Sequence, residues 1–200
     1  MKKIKFSFAI IICLCSFVAM ATTVYFTKAL VDFDAFEKLT AEVKNHRKDR
    51  LINVDEFIKM SKEKGTIILD TRSDAMYKGK HVKGAIHLDF TDFTAANLSQ
   101  LIPNNTTRIL IYCNNNFDDK PLFARQTDYF VTKAARPTVK FKNQQLTALT
   151  AKSRLTLALN IPTYINLYGY GYKNVYELNE LVSTAFDKRI EFEGTAVVKP

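Results

Sequence analysis

The sequence predicts an α/β domain built on a central parallel sheet with helices flanking it. Three observations carry that prediction. Short apolar runs at 66–70, 86–88, 108–112 and 174–178 have the length of strands and alternate with segments of helical periodicity. The run Ile109-Leu110-Ile111-Tyr112 is apolar at consecutive positions, as in a strand covered on both faces. The chain has 200 residues, 47% of them hydrophobic, with 6 Gly and 5 Pro, which suits one globular domain rather than a disordered chain. The crossovers between such strands are expected to be right-handed.

The N-terminus reads as a targeting segment. Lys2, Lys3 and Lys5 precede an almost wholly apolar stretch from Phe6 to Val18, and Ala19-Met20-Ala21 is an A-x-A cleavage site. Residues 1–21 are therefore expected to be a signal peptide. The rival reading is an uncleaved anchor, because apolar character continues to Phe26. Ile12 and Leu14 before Cys15 match a lipobox poorly. The short Lys-rich leader looks bacterial, and either reading exports the chain. The expected location is the periplasm, or the inner membrane facing it if the leader stays.

Cleavage removes Cys13 and Cys15, which leaves Cys113 alone and allows no internal disulfide. A single thiol in an oxidising compartment is either deeply buried or reactive. Loss of the leader's three lysines lowers the net charge from +9 to +6. The remaining bases are spread along the chain, with Lys44, Arg47, Lys48 and Arg50 on one stretch and Lys78, Lys80 and Lys83 around His81. A nucleic-acid protein concentrates such residues beside exposed aromatics, so no nucleic acid is expected as partner.

The elements follow in order. Phe33, Phe36, Leu39 and Val43 recur at helical spacing, predicting an amphipathic helix over 32–48 within an N-terminal extension, residues 22–49. Arg50 to Asn53 is a short strand. Asn53 with Glu56 three residues on is a capping-box arrangement for a helix that Gly65 ends at its C′ position. The strand 66–70 runs into Asp70-Thr71-Arg72. Gly84-Ala85 allows close backbone approach before the strand Ile86–Leu88. Thr94 caps a helix that turns Leu98, Leu101 and Ile102 inward.

The strand 108–112 then ends in Cys113-Asn114-Asn115-Asn116. Asn tolerates left-handed backbone, so a tight loop is expected there. A thiol is thus placed at the strand-end edge where open α/β sheets bind ligands. The plain alternative is a small buried hydrophobe. Beyond it, residues 117–159 read as an insertion. Val139 and Phe141 alternate with lysines and Leu155, Leu157 and Leu159 alternate with Thr156 and Ala158, so a β-hairpin is expected inside it. Asn160-Ile161-Pro162 reads as cap and first turn of a helix that Gly169 or Gly171 stops. A last strand at 174–178, a short helix over 179–186 and a tail, residues 187–200, complete the chain.

Four segments together resemble the rhodanese-like domain family across about residues 50–186, outside the insertion. Ile68-Leu69-Asp70-Thr71-Arg72 is similar to that family's strand ending in Asp-x-Arg. His81-Val82-Lys83-Gly84-Ala85-Ile86-His87-Leu88 is similar to its His-Ile-x-Gly-Ala signature. Ile109 to Cys113 resembles the strand that presents its cysteine, and Gly171 to Leu178 its closing Gly-Phe-x-x-Val-x-x-Leu. The resemblance implies a sulfurtransferase whose cysteine takes sulfane sulfur from a donor such as thiosulfate, holds it as a persulfide and passes it to a thiol. Cys113 would be the nucleophile, with Asn114, Asn115, Asn116 and Phe117 as the substrate-facing loop. Asp70, Arg72, His81 and Gly84 would be structural support. No cofactor is implied, and three His without a Cys-x-x-Cys give no metal site.

The sequence also departs from that family. Active members follow the cysteine with a short loop bearing Gly and Arg or Ser that runs straight into a helix. Here no arginine occupies the loop, Asp118 and Asp119 follow it, and the next expected helix starts after Asn160. Nearby carboxylates raise a thiol's pKa unless they point away. The related phosphatases need Cys-x5-Arg, and position 119 is Asp, which excludes that chemistry. Two classes stay open: an exported sulfurtransferase or persulfide carrier, and a rhodanese-like binding module. Other thiol chemistry is the minor third. The insertion is a candidate surface for a protein partner, and a membrane enters only if the leader is uncleaved.

Overall fold

The computed structural model describes residues 27–118, 129–130, 140–141, 144–145 and 158–197. The chain divides into a leading unit, residues 1–32, and a main unit, residues 33–200. Among the described residues no helix is long and apolar enough to cross a membrane.

In chain order the elements are α1 (Phe33–Lys48), β1 (Leu51–Ile52), α2 (Val54–Ser61), β2 (Thr66–Asp70), α3 (Asp74–Gly79), β3 (His81–Val82), β4 (Ile86–His87), α4 (Ala95–Leu101), β5 (Arg108–Ile111), β6 (Phe117–Asp118), β7 (Lys140–Phe141), β8 (Gln144–Gln145), α5 (Asn160–Gly169), β9 (Val175–Leu178), β10 (Val182–Ser183) and β11 (Phe192–Glu193). Single 3-10 turns cover Phe90–Asp92 and Asn114–Asn116. The central sheet has five strands in the order β1-β9-β5-β2-β4, and every pairing in it is parallel.

Side chains alternate across a strand, so β5 feeds both faces. Ile109 and Ile111 join Val43 of α1, Leu98 of α4 and Tyr164 and Leu167 of α5 in one core. Leu110 and Tyr112 join Phe57 of α2, Val82, Phe117 and Phe130 in the other. All four of these β5 and Tyr112 positions are essentially without solvent contact. The consecutive apolar run is explained by this two-sided cover.

Local signals set most helix ends. Asn53 Oδ1 accepts from the Glu56 N–H at 2.9 Å, and Thr94 Oγ1 accepts from the Asn97 N–H at 3.2 Å. Gly171, at φ 95°, ends α5 in a Schellman arrangement: its N–H donates to Tyr168 C=O at 3.1 Å, and the Tyr172 N–H donates to Leu167 C=O at 2.9 Å.

Several expectations are corrected. Gly65 has φ 83° but lies beyond the Lys62 cap, where it turns the chain into β2 instead of capping α2. Helix α3 was not expected; Ser73 at its cap and the Asp74–Lys78 pair were its local signals. Leu101 is turned outward while Leu98 and Ile102 are buried, because one turn of a short helix has room for only part of the apolar set. Phe33 and Phe36 are likewise exposed, and α1 packs through Leu39 and Val43. Residues 179–186 form no helix: β10 pairs with β6, Val182 opposite Phe117, so the backbone bonds go across to another strand. The tail is not featureless either, since β11 pairs antiparallel with β3 and buries Ile190. Within the insertion, Lys140–Phe141 pairs antiparallel with Gln144–Gln145. Most of the expected 155–159 strand lies outside the described residues, and Ala158 and Leu159 are not in a strand.

Candidate active site

Cys113 follows β5, and Asp70 ends β2. The two strands are parallel neighbours, with Leu69 opposite Ile111, so both residues stand at the C-terminal edge of the sheet. Alternation then sends their side chains apart. Cys113 shares the face of Ile111 and α5, whereas Tyr112 and Asn114 share the face of Asp70 and Arg72.

On the second face a buried polar network closes on Arg72, which is 1% exposed. Its Nε donates to Asp70 Oδ1 at 3.0 Å and its Nη2 to Asp70 Oδ2 at 2.6 Å, a bidentate pair. Nη2 also reaches Lys80 C=O and Nη1 reaches Tyr129 C=O, each at 2.8 Å. Nη1 donates further to Asn114 Oδ1 at 3.4 Å, which ties the cysteine loop to the network. The guanidinium stacks 4.4 Å from the Phe130 ring. Tyr112 donates its hydroxyl to Asp70 and accepts the Val82 N–H at 3.1 Å. Burial, and then the Asp70 charge beside it, hold the Tyr112 phenol well above its usual pKa.

His81, Tyr77 and His87 form a ring stack beside this network, with centroid separations of 3.9 and 4.4 Å. His81 Nδ1 meets Tyr77 C=O at 2.6 Å, and its Nε2 lies 3.3 Å from Glu193 of β11. Glu193 also accepts the Gly84 N–H at 2.8 Å, and Gly84 has φ 78°, a conformation that a side chain would strain. His81 and Gly84 thus fix the loop between β3 and β4 and do not meet Cys113.

The loop after Cys113 is a compact 3-10 turn, and Asn116 is its fastener. Asn116 Oδ1 accepts the Cys113 N–H at 2.8 Å, and Asn116 Nδ2 donates to Leu178 C=O at 2.6 Å at the end of β9. The expected left-handed asparagines are absent: no described non-glycine residue has positive φ. Hydrogen bonding by the Asn116 side chain does the closing that a left-handed backbone was expected to do. Phe117 is 2% exposed and packs against Phe130 and Phe192 at 4.7 and 5.1 Å, so it is a core anchor and not a substrate-facing residue. Asn114 is buried and Asn115 is half-buried.

The thiol itself is 0% exposed, against the open position an accessible nucleophile calls for. Two N–H groups meet its sulfur: that of Asn116, within the same loop, and one from the far side of the insertion. The Leu159 N–H, at the cap of α5, donates to Cys113 Sγ at 3.2 Å. The first turn of α5 is moored at three strand ends. Thr163 Oγ1 lies 2.8 Å from Thr71 Oγ1 beside β2, Leu159 meets Cys113 after β5, and Asn160 Nδ2 donates to Glu177 of β9. Asn160 is therefore the first helical residue and not the cap, because its side chain is committed to Glu177. The sulfur thus lies at the N-terminus of α5, beyond the insertion.

Comparison with known proteins gives the family. The model of the rhodanese-like domain matches residues 53–180. The chain belongs to the rhodanese-like domain family. Compared with curated proteins, it has no match. Among solved structures it is similar to a crystal structure of a Bacillus halodurans protein, at 17% identity and a TM-score of 0.41, over 78% of this chain and 85% of that one. The family match leaves α1 and β11 outside its span, although both pack on the rhodanese-like core.

Sequence reasoning missed Leu159, Thr163, Glu177 and Arg47 as neighbours of the site. Glu177 carried a usable signal, because a carboxylate within the apolar strand Val175–Leu178 must find a buried partner. Leu159 carried none, since a backbone N–H has no signature in the sequence.

Proposed function

We propose that this rhodanese-like protein is a sulfurtransferase-type persulfide carrier with Cys113 as its nucleophile. The observation that supports the reading is the seat of Sγ: at the C-terminal sheet edge, on the N-terminus of α5, with the Leu159 N–H donated to it. The helix end and that N–H favour negative charge on sulfur, first as thiolate and then as persulfide. In the step, the thiolate attacks the outer sulfur of thiosulfate. A new S–S bond forms, the S–S bond of thiosulfate breaks with its electron pair, and sulfite leaves. The terminal sulfur then passes to an acceptor thiolate, and the Cys113 thiolate returns. The reading includes an exported protein acting in the periplasm on a small sulfur donor and a thiol acceptor, with the 117–159 insertion as the surface for a protein partner.

One observation favours a second reading. A thiol with no exposed surface is reached only through local opening, and a closed cleft suits a binding module. Intact-mass measurement after incubation with thiosulfate separates the two. The expected result is a gain of one sulfur that Cys113→Ser abolishes. No gain, together with a thiol that alkylates only in denaturant, overturns the carrier reading in favour of the binding module.

A further inference from the structure

Arg47, near the end of α1, reaches the sheet from outside the family span. Its Nε donates to Glu177 Oε2 and its Nη2 to Glu177 Oε1, each at 2.5 Å. The Glu177 side chain is 2% exposed, so this is a bidentate pair with a buried carboxylate. Glu177 stands opposite Ile111, two residues before Cys113, and therefore on the face of β9 that α5 covers. Its Oε1 also accepts from Asn160 Nδ2, in the first turn of α5. Asn160 precedes Thr163 by three residues and follows the Leu159 whose N–H meets the sulfur.

Asn160 is an unusual choice for that position. Asparagine is favoured at the cap, where its oxygen accepts a free helix N–H. Here it sits one residue inside, and its Oδ1 is buried with no hydrogen-bond partner among the described residues. An orphaned buried acceptor is costly and calls for an explanation. The explanation the geometry gives is that the amide's donor side is held by Glu177, and Glu177 by Arg47. We propose that Arg47, Glu177 and Asn160 are positioning residues that fix the first turn of α5, and with it the Leu159 N–H, against the Cys113 sulfur. The N-terminal helix α1 is then a working part of the site. This rests on Cys113 being the reacting group, but the chain of contacts is testable without sulfur transfer.

The titratable and charged groups around this turn are Arg47, His46 and Arg50 from the α1 end, Tyr164 from α5 and Glu177 from β9. His46 Nδ1 lies 2.9 Å from the Tyr164 hydroxyl, and Arg50 lies over the Tyr176 ring at 4.9 Å. Asp70 and Arg72 occupy the opposite face and Asp118 lies past the loop. None of these is changed by the variants Arg47→Met and Asn160→Ala except Arg47 itself.

The test is the pH midpoint of thiolate ultraviolet absorbance on the full chain, taken as the difference from Cys113→Ser. Both variants should raise that midpoint, and the double variant should raise it no further than the stronger single one, because the residues act in series. The rate of sulfur loading at neutral pH should fall about tenfold in each, less than the roughly hundredfold that a full 1 Å misplacement can cost. Glu177→Gln, which keeps an acceptor for Asn160, should fall between wild type and Asn160→Ala, and it serves where Asn160→Ala does not fold. Unchanged midpoints in folded variants, or fully additive shifts, overturn the proposal. A shifted midpoint in a protein that takes up no sulfur upholds the positioning chain and removes the carrier reading instead.

Discussion

On one face of the sheet edge, Arg72 spreads its guanidinium donors over Asp70, Lys80, Tyr129 and Asn114, and Tyr112 closes on the same carboxylate. On the other face, Cys113 meets the N–H of Leu159, and that N–H is kept in place by contacts one and four residues away. The two sites lie within one loop of each other, yet they answer different demands. The first is saturated with direct bonds and fixes the loop. The second gives sulfur two backbone N–H partners, from Asn116 and Leu159, which suits the proposed role of a group that must change its bonding. Saturation gives rigidity, and on the proposed reading the reacting sulfur is held from behind.

That contrast is broken most severely at Arg72. Arg72→Met strands the Asp70 carboxylate in the core and should cost about 3–5 kcal/mol, read as a lower midpoint in urea unfolding. Tyr112→Phe removes one bond to Asp70 and one from Val82 and should cost about 1–3 kcal/mol. It should also change the alkaline limb. The Tyr112 pKa is raised in the fold by burial and by Asp70, so its contribution is complete below the unfolded value of about 10 and is lost as pH rises through the folded value. With Phe at this position, stability should fall less between neutral and alkaline pH, measured by urea unfolding across that range. The smallest effect on stability is expected at the proposed nucleophile. Cys113→Ser should change unfolding free energy by about 1 kcal/mol or less, since a hydroxyl can still accept the Leu159 N–H. A cost there as large as that of Arg72→Met would erase the distinction between the two faces.

The sheet was legible because its strands are short, apolar and separated by clear caps: Thr94 and Gly171 act through the local chemistry expected of them, and Asn53 through one half of its expected capping box, since the Glu56 carboxylate turns to Lys59. Cys113 and the Asp70–Arg72 edge were legible for the same reason, since parallel strands bring their ends together. Pairings between distant residues were not. β11 on β3 and β10 on β6 join two-residue stretches with no periodicity to detect. The asparagine loop was read from backbone preference, and side-chain bonding by Asn116 prevailed over it. The Arg47–Glu177–Asn160 contacts join three elements whose charges look like ordinary surface or strand residues until packing turns them inward.

The bond between Leu159 and Cys113 spans 46 residues of sequence, where a direct loop-to-helix connection spans only a few. Closing a segment of that size costs roughly 2 kcal/mol more entropy than closing one of about five residues. β5 and β9 are paired through their own registers, and the closure adds the cover of α5, whose Tyr164 and Leu167 pack with Ile109 and Ile111. Release of the first turn of α5 is the local opening that would uncover the thiol, and faster amide exchange at Leu159 than across β5 is the expected sign of it.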